Sequence, residues 1–286
     1  MLFKNPIEEI IRRRKSIRTY LDKPIEEEKK DTVKKFLSTN TTGPFGTTSR
    51  FTLITATDQD KEALKGLITY GMIKNASSFI IGAVENVPHN LEDFGYLMER
   101  NILLATGLGL GTCWLGGTFN ASGFAQKISL KNNEVLPAVT PVGYAVPKIT
   151  AIDYVIRNAS GADNRKPWNS LFFKNDKPLT VENAGDYEIP LEMVRLGPSA
   201  NNFQPWRIIK DDTSNTFHFY IKRNPGMKQF FFMKADLQRV DIGIAMCHFA
   251  LTAEEKGLKG SWKISDPRLK GTAVKMEYTA TWVGSN

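Results

Sequence analysis

"DFGYLMERNILLATGLGLGTCW" (93–114) and "DIGIAMCHFALTAEEKGLKGSW" (241–262) lie over one another without a gap at a constant offset of 148 residues (241 − 93 = 148). The offset pairs Asp93 with Asp241, Gly95 with Gly243, Met98 with Met246, Leu103 with Leu251 and Ala105 with Ala253. It then pairs Gly109 with Gly257, Leu110 with Leu258 and Trp114 with Trp262. A long helix and the turn that ends it therefore occur twice, and one duplicated unit accounts for a chain of 286 residues. Upstream of each copy a Gly-Pro loop leads into a strand: "GPFGTTSRFTLI" (43–54) in the first half, "GPSANNFQPWRII" (197–209) in the second.

The elements around the repeat are mixed α and β. A helix is expected from Pro6, with Asn5 as cap, Glu8 at the third helical position and Ile7, Ile10 and Ile11 on one face. It delivers the basic cluster of "IRRRKSIRTY" (11–20) at its C-terminal end, where cations also offset the macrodipole. A second helix is expected from Pro24 to Leu37, with Val33, Phe36 and Leu37 inward. Strands are expected at 50–56 and 78–85, which are rich in β-branched and aromatic residues. The repeated helix of the first half reads as 90–108, capped by Asn90. The glycines of "GLGLGTCWLGG" (107–117) close that helix, whereas a Rossmann or P-loop turn follows a strand and opens one. They fit close backbone approach to a flat ligand better than a dinucleotide fingerprint.

Composition narrows the function. With 41% hydrophobic and 24% charged residues the chain is an ordinary globular one. No apolar run approaches the roughly 18 residues a membrane span needs, and "MLFKNPIEEIIRRRK" has no apolar core before its charges, so a cytoplasmic protein with no membrane partner is expected. Cys113 and Cys247 form no disulfide framework, and His89, His218 and His248 are scattered, so no metal site is expected. The net charge of +8 fits an enzyme for phosphorylated ligands, a membrane surface or nucleic acid. The basic block is confined to Arg12 to Lys15 without a zinc, RRM or KH signature, so no nucleic-acid partner is expected.

The halves are not equivalent. The first has the basic cluster and a glycine-rich turn, but "GPFGTTSRF" lacks the Asn and Gln of the other loop. The second has "PSANNFQPW" (198–206), but its turn reads "KGLKGSWKI" and no basic helix opens it. Each half keeps what the other lacks.

At this point the residues resemble the nitroreductase family of flavin mononucleotide (FMN) enzymes, in its fused, single-chain form. "RKSIRTY" (14–20) is similar to that family's R-R-S-x-R-x-F opening, "PSANNFQPW" to its P-S-x-x-N-x-Q-P-W loop, and "GLGTCWLGG" (109–117) to its G-L-G-x-x-W-I-G turn. "VGYAVPK" (142–148) and "NRKPWNSLFF" (164–173) resemble its closing strand and basic tail. The resemblance implies an α+β, nitroreductase-like fold: 1–173 as a first unit, 174–286 as a shortened second, and the two forming an intrachain pseudo-dimer of antiparallel-type sheets flanked by helices.

Familiar members are homodimers with flavin at the subunit interface. The resemblance thus implies that Arg14, Ser16 and Arg18, with Arg165, surround the FMN phosphate, a dianion that needs several fixed donors; Lys15 joins them or faces solvent. It implies that Pro198, Ser199, Asn202 and Gln204 line the ribityl chain and polar ring edge, an amide offering both donor and acceptor, although Asn and Ser also make turns with their own backbone. It implies that Trp114, Leu115, Gly116 and Gly117 lie near the reactive N5, with the backbone of Gly116 and Gly117 rather than a catalytic side chain serving the chemistry; Trp114 also reads as core. The implied activity is ping-pong NAD(P)H oxidation coupled to reduction of a nitroaromatic, quinone or similar small electron acceptor. Dehalogenation, ene reduction or non-enzymatic FMN binding remain alternatives on the same fold. A monomer or weak homodimer is expected, and "MKQFFFMK" (227–234) reads as pocket wall or core.

Overall fold

A computed structural model describes residues 3–55, 73–117, 119–147, 151–159, 161, 163–224, 235–269 and 275–285. The aromatic segment 227–234 lies outside them. In the first half, helices α1 (Ile7–Arg13) and α2 (Glu27–Thr39) precede strands β1 (Ser49–Thr55) and β2 (Ser78–Glu85). Helix α3 (Asn90–Gly107), β3 (Gly111–Thr112), α4 (Ala121–Lys127), β4 (Glu134–Val135) and β5 (Val139–Gly143) complete it. Helix α5 (Ala151–Ala159) then leads to β6 (Phe172–Lys174) and β7 (Lys177–Pro178). Helix α6 (Glu188–Arg195), β8 (Trp206–Lys210), β9 (Thr216–Ile221), α7 (Leu237–Glu255), β10 (Gly260–Lys263) and β11 (Glu277–Gly284) follow.

The strands form two sheets, ordered β1-β2-β5-β3 with β4 on β2, and β10-β11-β9-β8-β6-β7. Strand β2, "SFIIGAVE", is buried at every position but its last and lies central, while β1 pairs along it from Ser49↔Val84 to Thr55↔Ser78. Pairing between the named strands is antiparallel except for β6 on β8. The fold is thus mixed α+β, and its two sheets fit a tandem arrangement.

Helices α3 and α7 pack on each other and are buried almost all round, as helices without a polar stripe must be. Their closest approach is set by glycine. A Cβ on Gly95 would stand 2.2 Å from Val240 O and 3.1 Å from Gly243 Cα; one on Gly243 would stand 2.1 Å from Glu92 O. Gly95 and Gly243 are partners at the 148-residue offset, so the repeated positions meet each other. The exit turns also agree bond for bond. Leu108, Gly109 and Leu110 donate to the carbonyls of Leu104, Thr106 and Ala105 at 3.0, 3.0 and 2.9 Å. Lys256, Gly257 and Leu258 donate to Thr252, Glu254 and Ala253 at 3.0, 3.0 and 2.8 Å. Gly109 and Gly257 hold φ of 78° and 75°, the left-handed helix stop.

Local signals miss where the partner is distant. Helix α1 starts at Ile7 without a side-chain cap from its own segment. Instead the Ile7 and Glu8 N–H groups donate to the Glu255 carboxylate at 2.6 and 3.4 Å, 248 residues away for Ile7. Asn90 does not cap α3; His89 precedes the helix at φ 62°, and the Asn90 amide donates to Glu85 O at 2.9 Å. Helix α2 begins at Glu27 rather than Pro24, and Phe36 is half-buried beneath the Arg100 guanidinium. No helix among the described residues is long and apolar enough to cross a membrane.

Candidate functional site

The three arginines at the end of α1 take different directions. Arg12 pairs with Glu8 one turn back, and Arg13 Nη2 donates at 2.9 Å to Thr106 O, which also accepts from Gly109 N in the exit turn of α3. Arg14 leaves the helix with ψ 125° and is only 9% exposed. The extended chain beyond it runs beside the glycine turn: Ile17 N–H donates to Thr112 O at 2.8 Å, and a Cβ on Gly111 would come within 2.7 Å of Ile17 Cγ1. Gly111 is required by this crossing.

Arg12, Arg14, Lys15 and Ser16 then line a cavity of about 160 Å³ with Arg157 from α5, Asp163 and Arg165 from the connection, and Leu196 beyond α6. Both halves and their connection thus meet at one basic cavity. Burial lowers the Arg14 pKa; Glu99 opposes this, with Arg14 Nε 4.0 Å from its Oε1, and Arg157 adds to the lowering. Burial likewise lowers Arg165, with Arg14 and Arg195 adding to it. Nη1 of Arg14 and Nη1 of Arg18 are buried without a hydrogen-bond partner among the described residues. Guanidiniums that depress one another, with buried N–H groups unspent, are complementary to an anion with several acceptor oxygens.

The loop after α6 is held against this cavity. Asn201, Asn202 and Gln204 all have positive φ, at 49°, 55° and 45°; Asn tolerates this, Gln much less. Side-chain bonds hold the loop. Ser199 Oγ accepts from Gln204 N at 2.8 Å, Gln204 Oε1 accepts from Lys166 N at 2.8 Å, and Gln204 Nε2 donates to Asn202 O and Oδ1 at 3.1 Å. The Asn202 amide donates to the carbonyls of Gly161 at 2.6 Å and Asn164 at 2.8 Å, and its Oδ1 accepts from Arg165 Nη1 at 3.4 Å. The loop therefore clasps the 161–166 connection and fixes Arg165 at the cavity. Pro198 is half-buried at its start.

At the glycine end, Leu115 exchanges both backbone bonds with Val139 at 3.0 Å. A Cβ on Gly116 would meet Leu237 at 2.7 Å, and Gly117 is exposed. The N–H groups of Gly116 and Gly117 find no acceptor among the described residues. The structure thus gathers Arg14, Lys15, Ser16 and Arg165 at one cavity and attaches Ser199, Asn202 and Gln204 through the connection. Arg18, Leu115, Gly116 and Gly117 stand outside that cavity's lining.

Two residues that the motifs do not contain complete the site. Arg157 reaches the cavity wall and pairs with Asp163. Glu99, fully buried in α3, accepts from Trp114 Nε1 at 2.7 Å and faces His248 Nε2 of α7 at 2.9 Å, whose Nδ1 lies 2.8 Å from Met193 O. One carboxylate thus joins the basic cluster, the glycine turn and the second half. The available signal was an acid beside Met98, Ile102 and Leu103 in an apolar helix; Arg157 had none beyond its charge.

Comparison with known proteins agrees with this architecture. A "putative nitroreductase (tm1586)" from Thermotoga maritima MSB8 superposes with a TM-score of 0.60 at 21% identity, covering 98% of this chain and 94% of that one, and it shares the fold. A nitroreductase family protein from Clostridium difficile 630 matches at 19% identity over 58% of this chain and 95% of that one, TM-score 0.43. An FMN-dependent nitroreductase from C. difficile R20291 matches at 19% identity over 49% of this chain and 87% of that one, TM-score 0.40. None of the curated proteins compared with the chain matches it. The family model described as "Putative TM nitroreductase" matches residues 6–253, most of the chain, and the chain belongs to this nitroreductase family.

Proposed function

We propose that the protein is an FMN-dependent NAD(P)H oxidoreductase, built as an intrachain pseudo-dimer of units 1–173 and 174–286, with one FMN per chain and a small electron-poor molecule as acceptor. The observation that carries this is the basic cavity where Arg14, its Nη1 unpartnered, meets Arg157 and Arg165 under the clasp of Asn202. The residues fit the group. Arg14, Lys15, Ser16, Arg157 and Arg165 would hold the phosphate, and the two free N–H groups of Gly116 and Gly117 suit a ring edge that gains negative charge. Bound flavin supplies the hydride chemistry. The chain's own task is positioning: Glu99 fixes Trp114 and faces Arg14, so the phosphate and ring ends stay in register.

Equilibrium dialysis should give one FMN per chain, and NADPH added anaerobically should bleach the visible flavin band. Arg14→Ala and Asn202→Ala should each weaken FMN binding by about tenfold or more, a charge-assisted contact being worth about 1.5–3 kcal/mol. Two flavins per chain, or none after reconstitution, would overturn the proposal. Flavin content unchanged in Asn202→Ala would reduce that loop to a turn.

A further inference from the structure

In the first half, Ser16 and Ile17 run along Gly111 and Thr112 and cover the glycine turn. The 148-residue offset carries Gly111 and Thr112 onto Lys259 and Gly260, but among the described residues no segment crosses these as Ser16 and Ile17 cross Gly111 and Thr112. Strand β10 consequently ends its sheet with three of its four residues exposed. Beside it opens a cleft of about 720 Å³, between Thr42–Pro44 of the first half and 257–262 of the second, walled by Tyr96, Arg100, Glu254, Trp262 and Trp282.

The chemistry of this cleft differs from that of the basic cavity. Arg100 Nη1 donates to Asn40 Oδ1 at 2.8 Å and its guanidinium lies over Phe36, which fixes the group in place. The Nε–Nη2 edge has no acceptor among the described residues, and Nε is buried. Neither Arg100 nor Lys259 has a carboxylate within ion-pair distance among those residues. A guanidinium held in place without a carboxylate partner, on the wall of a cleft, suits the carboxylate of a ligand. Trp262 and Trp282 meet edge to face at 5.3 Å, and both carry a buried indole N–H without a partner among the described residues. Trp262 stays partly exposed at the cleft wall with the buried Trp282 beside it, an aromatic wall that suits a flat ring. With two cations offset by the nearby Glu254, this cleft suits a phosphate dianion less than the basic cavity does, where five cations face one acid.

We propose that this cleft is a second binding site, for a planar aromatic carboxylate, with the carboxylate on Arg100 and the ring against Trp262 and Trp282. The proposal rests on the repeat and on the cleft, not on the flavin reading.

The test is equilibrium dialysis of 2-naphthoate against the purified protein, alone and saturated with FMN. One naphthoate per chain is expected in both conditions. Arg100→Gln should weaken binding at least tenfold, with far-UV circular dichroism unchanged. Ser261→Trp, at an exposed position on the rim, should block binding without touching Arg100. Absence of saturable binding at millimolar naphthoate, displacement by FMN, or an affinity untouched by both substitutions would overturn the proposal.

Discussion

Asp93 and Asp241 occupy the same place on the two repeated helices and do unequal work. Asp93 accepts from Phe45 N at 3.0 and 3.2 Å and from Thr47 N at 2.9 Å, so it closes the 43–47 loop on itself. Among the described residues Asp241 accepts one bond, from Ala200 N at 3.0 Å, and its buried Oδ2 has no partner; burial pushes its pKa well above the usual carboxylate range. The first loop is satisfied by its helix and by its own backbone, Gly43 N donating to Thr47 O and Gly46 N to Gly43 O. The second is satisfied mainly by the connection, through Asn202 and Gln204. The difference teaches that the helix, its stop and its glycine crossing are the common scaffold. What changed is which side chains the loops leave for something else.

The largest effect should come from the carboxylate that ties the two halves together. Glu99→Leu keeps bulk but leaves the Trp114 and His248 nitrogens unpaired and removes the acid facing Arg14. Breaking a buried charged pair costs about 3–5 kcal/mol, and urea denaturation should show a loss of that size. Arg100, the next residue, is the control: Arg100→Gln should cost much less, since its one hydrogen bond is to neutral Asn40. Equal losses would show that α3 tolerates no polar change, and the comparison would fail.

Next in size is the crossing itself. Gly95→Ala and Gly243→Ala each push a methyl into facing backbone and should cost about 1–3 kcal/mol by the same measurement. Because the two positions share one contact, the double substitution should cost less than the sum. Strict additivity would mean that the halves accommodate each methyl separately.

How much of this was legible follows from where each partner lies. Gly95, Gly109 and Trp114 were readable because the repeat states them twice and their partners are local or self-paired. Strands β1 and β2 were readable within a residue because their composition matches their burial. The cap of α1 was not, since Glu255 lies at the far end of the chain. Nor was the role of Glu99: its partners come from a turn 15 residues on and a helix 149 residues on, and only tertiary packing brings them together. Asn202 stood out in the sequence as a candidate, but its contacts were not legible, because the connection it grips carries no pattern of its own.

The smallest predicted effect probes that connection through pH. Lys166 has no equivalent at the 43–47 loop; its Nζ donates to Phe203 O at 2.6 Å, and burial, with Arg207 and Lys222 adding to it, pushes its pKa down to about 8. In the unfolded chain a lysine titrates near about 10.4. Between these values the unfolded state binds more protons than the folded one, so this group makes stability rise with pH across that window. Below about pH 8 it is charged in both states and its destabilising contribution is complete. Lys166→Met removes the titration, so the stability of wild type relative to the variant should climb from pH 8 to 10 when followed by urea midpoint. Arg165 and Asn202 lie in the same network, so the slope should shrink if an anion occupies the basic cavity and offsets the surrounding positive charge. A slope indifferent to millimolar phosphate would place Lys166 outside the electrostatic reach of that cavity, and the clasp would then be a purely mechanical link between the halves.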